Sequence, residues 1–160
     1  MNCVERNARF LVDTLQDVPY KKAHGPLSEV NVDDLWTDGL NCQLFFHLVW
    51  EELFGWVLPR WMRSSELYAD TNFLQEVKRG EERPGDVLFL GRAEWIPSKR
   101  PDCRQAQQLH LATIVVADQN PLLIHMRWQK GERGGVMLES LSQVQQCSRY
   151  ERLFAIKRRK

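Results

Sequence analysis

The feature that most constrains the fold is a run of residues after Asn41 that leaves almost no polar face on a helix. Its apolar members are Leu44, Phe45, Phe46, Leu48, Val49, Trp50, Leu53 and Phe54. A helix that is apolar nearly all round has to be buried, and this run is too short to span a membrane. Asp38 or Asn41 can cap its start, and Gly55 can end it. We therefore predict a central, buried helix over residues 41–54.

One amphipathic helix is predicted before this central helix and another after it. The first is marked by apolar residues at helical spacing, namely Val4, Ala8, Leu11, Val12 and Leu15, and it ends before Pro19. The second is predicted from Ser64 to Lys78, with Ser64 or Ser65 as its N-cap. Its buried face consists of Leu67, Leu74 and Val77.

The second half of the chain has the pattern of short strands separated by turns. Strands are predicted over residues 86–90, 111–117, 122–126, 136–138 and 150–156. Turn residues such as Asp118-Gln119-Asn120-Pro121 join neighbouring strands, which favours an antiparallel meander. Helices followed by strands indicate an α+β fold, in which the central helix packs on the sheet. The stretch from Gly91 to Leu109 is predicted to be a long loop, and a loop of this length is often functional.

Composition limits the partners that such a chain can have. The 160 residues, of which 43% are hydrophobic, fit a single domain over 1–160 with its own core. Lysine and arginine number 22 against 21 acidic residues, so the formal net charge of +1 argues against nucleic acid as a partner. The polar residues Glu5, Arg6 and Asn7 stand where a signal peptide would be apolar. We therefore expect a cytoplasmic protein without a membrane partner, and export by another route stays open.

The four cysteines are widely spaced and form no Cys-x-x-Cys pair. They are Cys3, Cys42, Cys103 and Cys147. Without an export signal they are expected to be reduced thiols. Structural zinc sites usually contain closely spaced ligand pairs, so we expect no metal and no other cofactor.

Cys42 is the strongest candidate for a reactive group. It falls in the first turn of the central helix, where unpaired N–H groups and the helix dipole favour an anion. This position predicts a lowered pKa of the thiol, and the thiolate is a nucleophile. The alternative is that Cys42 is only a small buried hydrophobic residue.

Two histidines are candidates for the base that such a nucleophile needs. His110 lies where the long loop leads into a strand, and His125 interrupts an otherwise apolar strand that runs back beside it. A cysteine with two histidines provides a nucleophile, a base and an orienting group. Each histidine alone is also consistent with a structural role.

Several segments, in their order along the chain, carry a resemblance to one enzyme family. They are Val18-Pro19-Tyr20, Gly39-Leu40-Asn41-Cys42-Gln43-Leu44-Phe45, Arg83-Pro84-Gly85-Asp86-Val87-Leu88-Phe89-Leu90, the strand that begins with His110, Ile124-His125, Gly134-Gly135-Val136 and Tyr150. Together they resemble the NlpC-type cysteine peptidases, the NlpC/p-sixty superfamily of papain-like cell-wall hydrolases. The resemblance covers nearly the whole chain and implies the papain-like fold of that family.

The resemblance also implies roles for individual residues. Cys42 would be the nucleophile, His110 the general base and His125 the residue that orients it. Tyr20 would help to form the oxyanion or substrate-amine site, and Asn41 stands at a substrate-binding position of the family. The implied activity is hydrolysis of an amide bond in a small peptide, such as a cell-wall peptidoglycan stem peptide, through a thioester on Cys42.

The chain also departs from the family pattern. Asn41-Cys42-Gln43-Leu44 replaces the usual Asp-Cys-Ser-Gly, whose aspartate and serine help to bind the free amine of a stem peptide. Lys21-Lys22-Ala23-His24-Gly25 replaces the usual Trp-Gly-Gly, and the loop from Gly91 to Leu109 is longer than usual. Two alternatives therefore stay open. One is an amidase or acyltransferase acting on a different donor, and the other is an inactive binding domain of the same fold.

Overall fold

The computed structural model describes residues 1–22, 25, 39–58, 62–95, 108–127 and 135–160. Along these ranges the elements are α1 (Cys3–Leu15), α2 (Cys42–Phe54), α3 (Ser64–Ala69), β1 (Leu74–Glu76), β2 (Val87–Gly91), β3 (His110–Val116), β4 (Leu122–Arg127), β5 (Gly135–Ser140), α4 (Leu141–Val144) and β6 (Arg152–Arg159). The predicted α+β fold is confirmed, because N-terminal helices pack on a six-stranded antiparallel sheet. His24, Cys103 and most of the predicted loop after Gly91 lie outside the described residues.

The sheet has the strand order β1-β6-β2-β3-β4-β5, and its neighbouring strands are antiparallel. Strands β2 to β5 form the predicted meander. The prediction that the meander continues to the last strand is wrong, because β6 returns to pair with β2. After β5, the side chains of Leu141, Val144 and Tyr150 pack on the sheet face that contains Leu88 and Ile114. This packing carries the chain back across the sheet before β6 begins.

The predicted helix over 64–78 is also wrong in its second half. The helix ends at Ala69, and the carboxylate of Asp70 accepts hydrogen bonds from the N–H groups of Phe73 (2.9 Å) and Leu74 (2.8 Å). This turn redirects the chain into β1, which pairs with β6 at the edge of the sheet. An aspartate that bonds to nearby backbone N–H groups favours a turn over a continuing helix.

The central helix has the predicted bounds and the predicted burial. Asn41 caps α2, and Gly55 ends it in the left-handed conformation (φ 66°), where its N–H donates to the Glu51 carbonyl at 2.9 Å. Phe45 and Val49 pack with residues of α1, β3 and β4, whereas Phe46 and Trp50 pack with residues of β2 and β3. Contacts on both sides explain why most of the helix is apolar, and its exposed part is limited mainly to Glu51 and Glu52. Of the helices in the described ranges, none combines the length and the apolar character needed to cross a bilayer.

One polar side chain of α2, that of His47, is buried beside the 62–63 segment. Its Nε2–H donates to the Met62 carbonyl at 2.6 Å. Burial lowers the pKa of His47 to about 4, and the hydrogen bond to Met62 offsets only part of that effect. His47 is therefore neutral in the folded protein under mildly acidic conditions.

This lowered pKa predicts that the folded protein loses stability in mild acid. In the unfolded chain a histidine has a pKa of about 6.5, so the unfolded state takes up a proton first as the pH falls. The free energy of unfolding should therefore decrease by about 3 kcal/mol from this group as the pH falls from about 6.5 to 4. Urea unfolding of the parent protein and His47→Gln across this range measures the contribution. Equal pH dependence of the two proteins would contradict it.

Candidate active site

Four of the five predicted site residues lie around one cavity. Tyr20, Asn41, Cys42 and His110 line this space of about 510 Å³, which we call the Cys42 cavity. His125 is fully buried and lies behind His110, to which it is hydrogen-bonded. The cavity forms where the segment before α2, the beginning of α2 and the beginning of β3 meet. The structure therefore brings the predicted nucleophile and base to a shared space.

The backbone around Tyr20 fixes that side chain beside the sulfur of Cys42. The Leu40 N–H donates to the Pro19 carbonyl at 3.1 Å, and the Lys21 N–H donates to the Leu40 carbonyl at 3.0 Å. These bonds hold the Tyr20 segment against the residues that precede α2. The Tyr20 hydroxyl is hydrogen-bonded to the thiol of Cys42, and burial raises the pKa of this tyrosine. The hydroxyl therefore stays protonated and can donate.

The prediction of a lowered thiol pKa is wrong for this protein. Burial raises the pKa of Cys42 to about 11, because the side chain is only 8% exposed and a thiolate there loses its hydration. Several groups oppose this rise, namely the N–H groups of Leu111, Cys42 and Gln43 and the Tyr20 hydroxyl. Position at a helix start thus favours the thiolate as expected, but desolvation has the larger effect. At neutral pH the free protein holds Cys42 as a thiol.

A chain of hydrogen bonds leads from His110 to an acidic residue across three neighbouring strands. His110 Nε2 lies 2.8 Å from His125 Nδ1, and His125 Nε2 lies 3.0 Å from Glu139 Oε2. Ala112 is opposite His125, and Leu123 is opposite Glu139. Residues two positions apart on a strand share a face, so His110, His125 and Glu139 lie on one face of the sheet.

This chain determines which ring nitrogens carry protons. His125 lowers the pKa of Glu139, so Glu139 is an ionised carboxylate that can only accept hydrogen bonds. Burial lowers the pKa of both His110 and His125, so both rings are neutral near pH 7. A neutral His125 that donates from Nε2 must accept at Nδ1, and His110 must then donate from Nε2. The lone pair of His110 is therefore on Nδ1.

Two further side chains hold the hydrogen-bonded residues His110, His125 and Glu139 in position. The ring of Tyr150 stacks on the ring of His110, with centroids 4.1 Å apart and an angle of 24° between the planes. Arg127 Nη1 lies 3.5 Å from Glu139 Oε2 and keeps a positive charge beside the carboxylate. Both contacts restrict the orientation of the buried rings, so the predicted base, His110, is held in one arrangement in the free protein.

The structure gives Asn41 a structural role. Its Oδ1 accepts hydrogen bonds from the N–H groups of Gln43 and Leu44, each at 3.0 Å, and its Nδ2 donates to the Lys22 carbonyl at 3.2 Å. These contacts cap α2 and attach it to the preceding segment. The predicted substrate contact of Asn41 therefore stays a prediction, whereas its capping role is observed.

Sequence reasoning missed Glu139, and it did not assign Tyr150 to the site. The predicted strand over 136–138 ended one residue before Glu139, whereas β5 continues to Ser140. With the correct length, the alternation along β5 would have put a carboxylate on the same face as His125. Tyr150 was assigned to the last strand, but it precedes β6 and lies in the preceding turn. Its stacking depends on the return of the chain across the sheet.

Glu139→Gln is expected to lower kcat about tenfold or more and to leave KM nearly unchanged. The amide can donate as well as accept, so it no longer enforces the proton arrangement that leaves the lone pair on His110 Nδ1. Steady-state kinetics with a fluorogenic amide substrate measures the change. Glu52→Gln, at an exposed position of α2, is the matched control. An equal loss in both variants, or a change in KM alone, would show that Glu139 does not act through the histidines.

Comparison with known proteins adds no family assignment. No protein-family model matches the chain, and a search of curated proteins finds no match. Within the described part of the chain, no group of three or more His, Cys, Asp or Glu residues is arranged to hold a metal ion. The function must therefore be argued from the geometry of the Cys42 cavity.

Proposed function

We propose that this protein is a cysteine hydrolase with an NlpC-type, papain-like fold that cleaves an amide bond in a small peptide through a thioester on Cys42. Peptides of this class include the stem peptides of cell-wall peptidoglycan. The observation that carries the proposal is the chain from Glu139 through His125 to His110, which leaves a lone pair on His110 Nδ1. His110 and Cys42 both line the Cys42 cavity. A thiol and an imidazole with a free lone pair are the two groups that acyl transfer to cysteine requires.

In the first step, His110 Nδ1 accepts the thiol proton while the sulfur of Cys42 attacks the amide carbonyl. Proton transfer accompanies the attack because the raised pKa of Cys42 and the lowered pKa of His110 keep both groups neutral before substrate binds. The tetrahedral intermediate carries a negative charge on oxygen. The backbone N–H of Cys42 at the helix start and the Tyr20 hydroxyl are the donors that stabilise it.

In the second step, the protonated His110 donates its proton to the leaving amine and the carbon–nitrogen bond breaks. This leaves a thioester between the acyl group and Cys42, with His110 neutral again. A water molecule then gives a proton to His110 and attacks the thioester carbonyl. Collapse of that intermediate releases the carboxylic acid, and the proton returns to the sulfur. Acyl transfer to an amine instead of water would use the same thioester.

Covalent trapping tests the proposal directly. The protein is mixed with p-nitrophenyl acetate, quenched in acid and digested, and the Cys42 peptide is examined by mass spectrometry. We expect an acetyl adduct on Cys42 that decays by hydrolysis, and we expect none on this residue in His110→Ala. Adducts distributed equally over Cys3, Cys42, Cys103 and Cys147 would contradict a specific nucleophile. A stable adduct that only an added amine removes would favour the acyltransferase, and no adduct at all would favour a binding domain.

A further inference from the structure

We propose that the substrate carries carboxylate groups near the scissile amide and that a rim of positive charge around the Cys42 cavity recognises them. The inference rests on the proposed function and specifies its substrate class. The rim consists of Lys21, Lys22, Arg92 and Arg149, all of which line the cavity. Among the described residues that line it, none is an aspartate or a glutamate. Arg92 also pairs with Glu94, with Nη1 and Oε1 3.4 Å apart, and the other three cations at this opening are still a strong local charge for a chain whose formal net charge is +1.

The two lysines are held at the rim by the backbone contacts that attach Tyr20 to α2. The Lys21 N–H donates to the Leu40 carbonyl at 3.0 Å, and the Lys22 carbonyl accepts from Asn41 Nδ2 at 3.2 Å. Both side chains are exposed, and neither forms an ion pair with a residue in the described ranges. Their ammonium groups are therefore attached close to the nucleophile and remain open to an anionic ligand.

Arg149 brings a third charge to the tyrosines beside the sulfur. It precedes Tyr150 in the chain, and its positive charge opposes the rise in the pKa of both Tyr20 and Tyr150. Those phenols also interact electrostatically with Cys42. The positive charge of Arg149 therefore contributes to the electrostatic potential in the part of the cavity that an acyl group attached to the sulfur would occupy. A guanidinium group is well suited to bind a carboxylate through two parallel hydrogen bonds.

The same surroundings disfavour a free amine on the substrate. The Oδ1 of Asn41 is occupied by the capping of α2, and the Gln43 side chain bonds to Ser64 through Nε2–Oγ (3.0 Å) and through the Ser64 N–H (3.3 Å). Asn41 and Gln43 carry no carboxylate, and their amide oxygens already accept hydrogen bonds from backbone N–H groups. Neither residue therefore offers a negative charge to an ammonium group. The positive charges of the rim would also repel an ammonium group. Repulsion therefore disfavours substrates with a free amine near the scissile amide, and attraction favours substrates with a carboxylate there.

Three peptides that differ only at the N-terminus test the substrate class. They share one sequence and a fluorogenic C-terminal amide, and they carry an N-succinyl, an N-acetyl or a free amino group. Binding to Cys42→Ala is measured by calorimetry, and hydrolysis is measured with the parent protein. We expect the succinyl peptide to bind about tenfold more tightly than the acetyl peptide and the free amine to bind most weakly. Raising the salt from about 0.05 M to about 0.5 M should reduce these differences.

Variants of the rim show whether its charges cause the preference. Arg149→Gln and the double variant Lys21→Gln/Lys22→Gln should each reduce the succinyl preference about threefold or more. Lys78→Gln, at an exposed lysine outside the cavity, should leave it unchanged. Equal binding of the three peptides, or preference for the free amine, would overturn the inference. Binding to Cys42→Ala without hydrolysis by the parent protein would overturn the proposed function alone.

Discussion

His110→Ala is expected to reduce kcat/KM for amide hydrolysis about a thousandfold at pH 7. In the proposed mechanism His110 removes the thiol proton during attack, so the high pKa of Cys42 does not limit the rate. Without that base only the preformed thiolate reacts, and this fraction is very small at neutral pH. The remaining activity should therefore increase about tenfold for each pH unit between about 7 and 9. Steady-state kinetics across this range measures both effects.

A second buried histidine provides the control for this experiment. His47→Gln removes an imidazole from α2 at a position where the ring bonds to the Met62 carbonyl and does not line the Cys42 cavity. Its kcat/KM at pH 7 should stay within about twofold of the parent value. If His110→Ala kept the activity of His47→Gln, His110 would not be the general base. A flat pH profile in His110→Ala would contradict the neutral pairing of thiol and imidazole.

Asp86→Ala is expected to lower the free energy of unfolding by about 4 kcal/mol. The Asp86 side chain is 1% exposed, and its two oxygens accept from Arg158 Nε and Nη2, each at 2.8 Å. The same carboxylate accepts the N–H of Arg83 at 2.8 Å, so it joins β6 to the turn before β2. Its removal leaves a half-buried guanidinium group, with a side chain that is 20% exposed, without the charge of Asp86, which costs more than the loss of a surface pair.

Urea unfolding at pH 7 compares this variant with a surface pair. Glu5→Ala removes the partner of Arg9 on α1, where the Nη2–Oε1 distance is similarly short, at 2.7 Å, but the arginine side chain is 53% exposed. The Glu5 variant should lose less than about 1 kcal/mol. If Asp86→Ala does not fold, Asp86→Asn provides the measurement, because the amide keeps the side-chain volume. Similar losses in the Glu5 and Asp86 variants would show that burial does not strengthen the Asp86–Arg158 pair.

The parts of the fold that depend on local pattern were predicted well. The apolar run after Asn41 predicted α2 with its caps, because extensive burial and capping chemistry both depend on residues that are consecutive in the sequence. The end of α3 was missed because Leu74 and Val77 fit the spacing of a helix. The turn at Asp70 ends the helix, and the pairing of Leu74–Glu76 with β6, a contact between distant parts of the chain, makes the following segment a strand.

The same distinction holds for the candidate site. Resemblance and position identified Cys42, His110 and Tyr20, which the structure brings to one cavity. The pKa of Cys42 could not be predicted from its helix position, because the larger contribution is the loss of water around the sulfur. That loss depends on how neighbouring segments pack over it. Glu139 was missed for a similar reason, since its contact with His125 depends on the register between β4 and β5.

The burial of Cys42 has a consequence for its chemistry with oxidants. Peroxides oxidise cysteine as the thiolate, in a first step that yields a sulfenic acid, and exposure increases the rate. A sulfur that is 8% exposed and has a pKa of about 11 offers almost none of that form at neutral pH. The proposed nucleophile is therefore protected from oxidation in the free protein. In the proposed mechanism, the sulfur becomes reactive only when an electrophilic carbonyl enters the cavity and His110 takes the thiol proton.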